Sequence, residues 1–333
     1  MSNDLRLGVD LGGTLVKLAL VNARGHVLER AEVSTLKDPK KLVKALASAV
    51  NPWLARPLLG TGVGVAGDVD PKKGRVRFSA NLGWKNVPLA DLFRRARFPS
   101  PVVIENDATA AAWGAYHLEL GGQVKNLVVL TLGTGVGGGC IFDGRLYRGA
   151  TGSAGEVGHM MIEAGGSPCP CGSRGCLETY LGGAGLVRWA RSAYKKKGTA
   201  VEPLDPKILE DRARGGDPVA KEAWRRASRG LGTALTNLVN LLNPEMVLLT
   251  GGVAKGASLF LPDALKMMKQ LAFKTPARAV RVAIAKNPSD LGVAGAALLV
   301  GIPRITRGHR RHSAEQRVPV LADGRSPSPD FFG

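Results

Sequence analysis

Two glycine turns, each set between apolar strand patterns, constrain the fold of this chain more than any other feature of its sequence. The first pattern runs from Leu5 to Val21 around Asp10-Leu-Gly-Gly-Thr14, and the second runs from Asn126 to Phe142 around Thr131-Leu-Gly-Thr-Gly135. Short apolar runs bounded by glycine are typical of buried strands. Because the same arrangement occurs twice, it predicts two similar units that face one cleft.

The segments around these hairpins alternate between helical and strand patterns. Apolar residues recur at helical spacing in five segments, namely Pro39–Leu54, Ala108–Leu120, 184–194, Asp217–Leu242 and Leu291–Val300. Further short runs are typical of strands, at Val27–Val33, Pro101–Ile104 and Met246–Thr250. This alternation predicts an α/β fold in which the small-residue helix at Leu291–Val300 covers the first sheet.

The chain is strongly basic, but its charge does not follow the glycine turns. Its 333 residues include 46 Lys and Arg against 27 Asp and Glu, a net charge of +19. Residues 111–187, which include the second turn, carry four basic and five acidic side chains. The dense run Lys195–Lys197 is typical of a solvated helix end, where cations also suit the helix dipole. We therefore expect no specific nucleic-acid partner.

The sequence carries no signature of a membrane or secreted protein. No apolar run reaches the roughly 18 residues of a membrane-spanning helix, and the first residues lack an apolar signal core. The chain has four cysteines, too few for a disulfide scaffold, and three of them lie within residues 169–176. The fourth, Cys140, stands in a strand pattern and is expected to be a small core residue. We expect a cytoplasmic protein.

The clustered cysteines predict a metal site. Cys169, Cys171 and Cys176 offer three soft ligands on one short loop, and Gly172 and Gly175 let that loop fold around an ion. Tetrahedral zinc needs a fourth ligand, and a closed site of this kind has no open position for water, so the metal would be structural. Reduced thiols without a metal are the alternative interpretation.

Glycine-rich segments suit phosphate, although those of this chain fit neither the common dinucleotide motif nor the P-loop motif. Gly62–Gly67 and Gly133–Gly138 both match G-x-G-x-x-G, yet no helix directly follows either of them, as dinucleotide binding requires. Asp10 adds a carboxylate that can hold Mg²⁺ through water, while Thr14 and backbone amides meet phosphate. Taken alone, each turn is equally consistent with a tight connection between strands.

A second carboxylate, Asp107, follows the strand pattern at Pro101–Ile104. It has two interpretations. An aspartate at the start of a helix is a common N-cap. A carboxylate in this position can also take the proton from a hydroxyl that attacks a phosphoryl group.

Five motifs stand in the order found in the ROK family of sugar kinases, which this chain resembles over about residues 5–300. They are Asp10-Leu-Gly-Gly-Thr14, Glu105-Asn-Asp-Ala108, Thr131-Leu-Gly-Thr-Gly-Val-Gly137, Glu156-Val-Gly-His159 and Cys169-Pro-Cys-Gly-Ser-Arg-Gly-Cys-Leu-Glu178. The resemblance implies an actin-like, ribonuclease-H-like fold with ATP and sugar in the cleft between two domains. We expect a small domain at 1–106 with a helix returning at about 287–302, a large domain at 107–286 that holds the zinc loop, and a disordered basic tail at 303–333.

The resemblance also implies a role for particular residues. Asp107 corresponds to the general base, and His159 to the fourth zinc ligand beside the three cysteines. The implied sugar contacts are Gly67, Asn81, Asn106, Asp107, Glu156, His159 and Glu178. The implied contacts to ATP and Mg²⁺ are Asp10, Gly12, Gly13, Thr14, Lys17, Gly133, Thr134, Gly135, Gly137, Gly251 and Gly252.

The activity implied is ATP-dependent phosphorylation of glucose at its 6-hydroxyl, in a homodimer or homotetramer. Kinases for N-acetylmannosamine, N-acetylglucosamine, mannose or fructose are the close alternative, since pocket shape decides among these sugars. Polyphosphate is an alternative donor, although relatives that use it usually lack the cysteine-rich loop. A sugar-responsive repressor is the alternative of another class. Because the strand pattern starts at Leu5, we expect no winged-helix segment before it.

Overall fold

The computed structural model describes residues 4–199 and 201–302. The strands in these ranges are β1 Leu5–Leu11, β2 Leu15–Val21, β3 Val27–Ser34, β4 Leu58–Val65, β5 Asp68–Asp70, β6 Arg75–Ser79, β7 Trp84–Val87, β8 Val102–Asn106, β9 Leu127–Leu132, β10 Val136–Phe142, β11 Arg145–Tyr147, β12 Met246–Thr250 and β13 Arg281–Ile284. The helices are α1 Pro39–Ala49, α2 Asn51–Leu54, α3 Leu89–Arg95, α4 Asp107–Leu118, α5 Glu178–Leu181, α6 Gly183–Lys196, α7 Pro206–Arg214, α8 Pro218–Leu242, α9 Leu261–Leu271, α10 Lys274–Ala279 and α11 Leu291–Leu298.

Two five-stranded sheets share one topology. The first has the order β3-β2-β1-β4-β8, and the second has the order β11-β10-β9-β12-β13. In each sheet the first three strands are antiparallel neighbours, and the last two run parallel to the central strand. The repeat predicted from the glycine turns is therefore present as two sheets of equal strand order. A third, small sheet, β5-β6-β7, follows β4 along the chain.

Helices α4 and α11 lie between the two sheets, and glycines bring all these layers close together. A Cβ at Gly8 of β1 would lie 2.1 Å from a backbone oxygen of α11, and a Cβ at Gly139 of β10 would lie 2.5 Å from Ala112 of α4. The helices cross at Gly114 and Gly295, where a Cβ would lie 2.1 Å and 1.9 Å from the partner helix backbone. The prediction that the last helix covers the first sheet is confirmed.

Each large sheet packs into its own apolar core. Phe93 of α3 and the buried face of α1 pack on the first sheet. Trp224 of α8 and Phe260, the residue before α9, belong to the core beside the second sheet. Cys140 is buried in β10, so the prediction of a small core residue is confirmed.

Several element boundaries differ by a few residues from those predicted from the sequence, and two of these differences bear on the fold or the site. The helical pattern at Pro39–Leu54 is divided at Val50, because Pro52 has no N–H to continue the hydrogen-bond ladder. Strand β8 extends to Asn106, so α4 begins directly at Asp107.

Two expectations concern larger features of the chain. Among the described residues, no helix is long and apolar enough to cross a membrane. The predicted tail at 303–333 lies outside the described residues.

Candidate active site and metal centre

Asp10 lies near the end of β1 in a partly buried and strongly charged environment. It pairs with Lys17 across the β1–β2 hairpin and with Gly64 in the parallel pair β1–β4. Burial, together with the negative charge of Asp107, raises the pKa of Asp10 to about 6, and Lys17 acts against this rise. The backbone of α11 also approaches closely, since a Cβ at Gly292 would lie 2.6 Å from the Asp10 carboxylate. A divalent cation fits this excess of negative charge.

The first glycine turn is held by Thr35, the residue after β3. Its N–H donates to the Thr14 oxygen at 2.9 Å, and its hydroxyl donates to the Gly12 oxygen at 2.8 Å. Gly13 and Thr14 are exposed, which leaves the turn open to a ligand. Asn81 lies beside this turn. A Cβ placed on Gly13 would be 3.4 Å from the Asn81 Cβ.

The start of α4 shows which residue caps the helix, a role that the sequence left open for Asp107 beside that of proton acceptor. The N-cap is Asn106, whose side-chain oxygen accepts from the Thr109 N–H at 3.0 Å, while its amide group donates to the Gly67 oxygen at 3.2 Å. Asp107 is the first helical residue, and one of its carboxylate oxygens accepts from the Ala108 N–H at 2.8 Å. Among the described residues, no other residue donates a hydrogen bond to the second carboxylate oxygen of Asp107. Burial raises the pKa of Asp107.

The start of α6 holds the second glycine turn through two backbone hydrogen bonds. The oxygens of Gly133 and Thr134 accept from the N–H groups of Gly183 and Ala184, both at 2.9 Å. Gly133 and Thr134 are exposed like their counterparts in the first turn. Gly251–Gly252 follows β12 and reaches the end of β9, where the φ of +99° at Gly251 favours glycine.

Glu178, at the start of α5, joins the second glycine turn to the cysteine loop. One of its oxygens accepts from the Val136 N–H at 3.2 Å, and the other lies 3.9 Å from the Cys169 sulfur. A Cβ at Gly135 would lie 2.0 Å from this carboxylate, so a larger residue there would displace the Glu178 side chain from its place. Gly137 is the second residue of β10 and packs against Ala108 of α4.

The predicted sugar residues from the second half of the chain converge near Asp107. Partial burial raises the pKa of Glu156; the charges of Asp107, Asp68 and Glu178 add to that rise, and His159 opposes it. Asp107, Asp68, Glu178 and His159 therefore all lie within electrostatic range of Glu156.

The ligand atoms of His159, Cys169, Cys171 and Cys176 all lie within 4.8 Å of one another. The sulfurs of Cys171 and Cys176 are 3.8 Å apart, as are the Cys169 sulfur and the His159 Nδ1. Tetrahedral zinc with bonds of about 2.3 Å separates its sulfur ligands by about 3.8 Å. The four residues therefore fit zinc. Burial raises the pKa of the Cys169 thiol to about 12, so binding of a metal would release protons.

The cysteine loop is also supported by side chains that sequence reasoning missed. The Tyr180 hydroxyl accepts from the Ser167 N–H at 3.0 Å and hydrogen-bonds to Glu163. The Arg226 guanidinium of α8 lies over the rings of Tyr180 and Trp189, at 4.9 Å and 5.1 Å from their centroids. These partners are distant in sequence, and no local pattern marks them.

A buried ion pair next to Asp107 was missed as well. Glu105 has no exposed surface, and its Oε2 accepts from the Arg148 Nε at 2.6 Å. Burial raises the pKa of Glu105, and the Arg148 guanidinium acts against that rise. The only signal in the sequence is a charged residue at the end of an apolar strand.

The arrangement combines four carboxylates of raised pKa, at Asp10, Glu105, Asp107 and Glu156, with two exposed glycine turns. Exposed turn amides suit anionic oxygens, and carboxylate and amide groups suit a ligand rich in hydroxyls. A hydroxyl bound next to Asp107 would have a proton acceptor within reach.

Comparison with known proteins gives a single family. The model of the ROK family matches residues 6–301. A glucokinase of Streptomyces coelicolor is 36% identical over 278 residues, which cover 80% of this chain and 87% of that protein. A crystal structure of a ROK family glucokinase from Streptomyces griseus in complex with glucose and AMPPNP has a TM-score of 0.76 and 34% identity, covering 89% of this chain and 98% of that one.

Other similar proteins have different functions. A xylose repressor of Caldicellulosiruptor bescii is 31% identical, with 88% of this chain and 77% of that protein covered. An N-acetylmannosamine kinase of Vibrio cholerae is 32% identical, with 74% of this chain and 83% of that protein covered. The fold common to the similar structures is the actin-like fold that the sequence predicted.

Proposed function

This chain belongs to the ROK family, and on that premise we propose that it transfers the γ-phosphoryl group of ATP to the 6-hydroxyl of glucose. The observation that carries the proposal is the start of α4. Asn106 caps the helix there, which leaves one oxygen of Asp107 free to act as general base. Glucokinases among the similar proteins support glucose as the acceptor.

In the proposed reaction, Asp107 accepts the proton of the attacking hydroxyl through its free oxygen. The hydroxyl oxygen forms a bond to the γ-phosphorus as the bond between that phosphorus and the β–γ bridging oxygen breaks, and ADP leaves. Because the transition state is loose, alignment and neutralisation of charge supply much of the rate. Burial, which raises the pKa of Asp107, also makes it a stronger base than an ordinary aspartate.

The other proposed site residues bind and orient the two substrates. The turns at Gly12–Thr14 and Gly133–Gly135, with Gly251–Gly252, would hold ATP, and Asn81, Glu156 and Glu178 would accept or donate hydrogen bonds at the sugar. Mg²⁺ held through Asp10 would neutralise the phosphates. Zinc bound by His159 and the three cysteines would be structural, since the four side chains complete a tetrahedral set.

The test of the general base is the Asp107→Asn variant of the full chain. We expect its kcat for glucose to fall by about 10²–10⁴-fold, measured as ADP release in a coupled assay, while its melting temperature stays close to that of the unaltered chain. Asp211→Asn, at an exposed helical aspartate, is the matched control and should keep full activity. A near-normal kcat in the folded Asp107→Asn variant would contradict the assignment.

The acceptor is tested with a panel of sugars and donors. The unaltered chain is assayed with glucose, mannose, fructose, N-acetylglucosamine and N-acetylmannosamine, each with ATP and with polyphosphate. We expect the highest kcat/KM with glucose and ATP. A higher kcat/KM for N-acetylmannosamine would contradict glucose as the acceptor and favour the activity of the Vibrio cholerae relative, an N-acetylmannosamine kinase.

The repressor-like relative suggests a second measurement. If the chain phosphorylates none of these sugars but binds a particular DNA sequence in preference to others, the kinase proposal is wrong. Binding that weakens steeply with salt and shows no sequence preference would reflect only the net positive charge.

A further inference from the structure

The segment Arg148–Ala154 connects β11 to Glu156 and forms a small closed loop. The Ala154 N–H donates to the Arg148 oxygen at 3.2 Å, which ties the two ends of the loop together. Only Gly155 separates this loop from Glu156, so the placement of the loop limits where Glu156 can stand. The contacts of this loop with the first sheet and the small sheet therefore bear on the position of Glu156, a proposed sugar ligand.

The strongest of these contacts is the ion pair between Arg148 and Glu105. Glu105 uses both carboxylate oxygens, since Oε2 accepts from Arg148 at 2.6 Å and Oε1 accepts from the Asn106 N–H at 3.1 Å. Asn106 is the residue that caps α4 and precedes Asp107. One carboxylate thus connects the strand that ends at the proposed base with the loop that leads to Glu156.

A second charged group fastens the same loop to the small sheet. Arg77 of β6 donates to the Thr151 oxygen at 2.6 Å and to the Ser153 hydroxyl at 3.2 Å. It also pairs with Asp68 of β5 at 2.7 Å. Asp68 in turn accepts from the Ser153 hydroxyl at 2.8 Å. The loop is therefore held at two points that lie far apart in sequence.

Stability alone does not account for an ion pair at a site with no exposed carboxylate surface. The Glu105 carboxylate is fully buried, while the Arg148 side chain keeps 27% of its surface exposed. Removing such a carboxylate from water costs about as much as the attraction of its partner returns in many proteins, and replacing a buried pair by apolar side chains is often neutral or stabilising. Removing only one partner is destabilising, because a buried charge is left alone. The directional bond from the guanidinium does, however, determine the position of the loop.

We propose that Glu105 and Arg148 are positioning residues, whose ion pair holds Glu156 in register with Asp107 and so sets sugar affinity without touching the sugar. This inference rests on the proposed function. It explains why a carboxylate with no exposed surface stands two residues before the proposed base. It also predicts that the pair acts on the sugar and leaves ATP binding unaffected, since the Glu105 carboxylate bonds the Arg148 guanidinium and the Asn106 N–H rather than residues 12–14 or 133–135.

The decisive variant is the double substitution Glu105→Leu with Arg148→Met in the full chain. The apolar pair avoids an unpaired charge, so we expect a melting temperature near that of the unaltered chain. We expect the kcat/KM for glucose to fall by about 10- to 100-fold because a small misplacement of a binding group has effects of this size. The KM for ATP should change by no more than about twofold. A mere loss of folded protein would lower the apparent kcat for both substrates and change neither KM, so a rise in the glucose KM alone identifies the positioning role.

Two further variants complete the test. Arg148→Lys keeps the charge without the planar fork, and we expect it to keep a lower glucose KM than the double variant. Arg30→Met removes an exposed ion pair with Asp290 at 2.7 Å and should change neither KM.

The outcomes separate this inference from the proposed function. If the unaltered chain phosphorylates glucose and the stable double variant matches its glucose kcat/KM, the positioning role is overturned and the proposed function stands. An equal rise in the KM for ATP would also overturn it. If the unaltered chain phosphorylates no sugar in the panel, the proposed function falls and takes this inference with it.

Discussion

At the scale of single residues, the start of α4 shows how neighbouring side chains divide structural and chemical work. Asn106 satisfies the Thr109 N–H and contacts the Gly67 oxygen, so it fixes the helix start and the adjacent turn together. Asp107 needs to do neither. A free carboxylate oxygen at the first helical position is thereby available near Asp10, whose pKa is raised partly by the charge of Asp107.

The raised pKa of Asp10 has a consequence for stability. Its folded-state pKa of about 6 exceeds the ordinary value of 3.8, so the folded chain binds more protons between these values and its stability declines as pH rises through this window. In Mg²⁺-free buffer we expect Asp10→Asn to stabilise the chain at pH 7 by about 1–3 kcal/mol, with much less effect below pH 4. Thermal unfolding across pH 4–8 measures this difference.

The control for that experiment is Asp211→Asn, at an exposed helical carboxylate. It should leave the pH dependence of unfolding unchanged. An Asp10→Asn variant whose melting temperature runs parallel to that of the unaltered chain over the whole range would show that Asp10 is not a strained carboxylate in the metal-free protein.

At the scale of secondary-structure elements, the crossing of α4 and α11 determines how closely the two sheets approach. Helix α11 packs on the first sheet, α4 packs on the second sheet and also touches β4 of the first, and the two helices meet at Gly114 and Gly295. Any side chain at these positions would push the layers apart. Because α4 begins at Asp107, the same crossing also determines where the proposed base stands relative to Asp10.

Gly295→Ala tests this crossing. Its Cβ would lie 1.9 Å from the Ala110 backbone oxygen, and neither group has a torsion that relieves the contact. We expect a loss of roughly 2 kcal/mol or more in the free energy of unfolding, seen as a melting temperature lower by about 4–8 °C. Gly215→Ala is the matched control, since its Cβ would meet ordinary contacts of 3.4 Å and 3.5 Å. Equal melting temperatures for both variants would contradict the close crossing.

The cysteine loop is the second element whose role can be tested. Cys171→Ser removes an exposed ligand, and we expect bound zinc to fall well below one ion per chain and the KM for glucose to rise, because His159 and Glu178 lose their anchor. Zinc is measured by mass spectrometry and KM by the coupled assay. Cys140→Ala, outside the cluster, should retain the metal. A folded, zinc-free protein with an unchanged glucose KM would contradict a supporting role for the metal.

At the scale of the whole molecule, two sheets of equal topology flank a pair of helices, and their glycine turns carry the proposed ATP contacts. The division into a small domain, 1–106 with about 287–302, and a large domain, 107–286, stays a prediction. If it holds, closing the cleft around bound substrates would exclude water and protect ATP from hydrolysis.

Small-angle scattering tests this closure. We expect the radius of gyration to decrease when saturating glucose is added, and to decrease further or stay low with a non-hydrolysable ATP analogue. A fructose control that shows no binding by calorimetry should leave the value unchanged. An unchanged radius of gyration at glucose saturation, verified by calorimetry on the same sample, would rule out a closing motion of appreciable size.

Local patterns in the sequence predicted much of this molecule, and long-range pairs account for most of what they missed. The strands around both glycine turns follow directly from apolar runs, and the cysteine spacing indicated the metal cluster. The sequence allowed Asp107 to be either the helix N-cap or a proton acceptor, and the backbone geometry shows that the cap is its neighbour Asn106. Arg148 could not be assigned to Glu105, since their side chains meet across 43 residues of sequence.

The carboxylate of Glu178 links two sites thermodynamically, since one oxygen bonds the second glycine turn and the other lies beside Cys169. Linkage is reciprocal: if occupancy of the cysteine cluster strengthens binding of a phosphate at the turn by some factor, the phosphate strengthens retention of the metal by the same factor. A working enzyme saturated with nucleotide would then lose its metal to a chelator more slowly than an idle one.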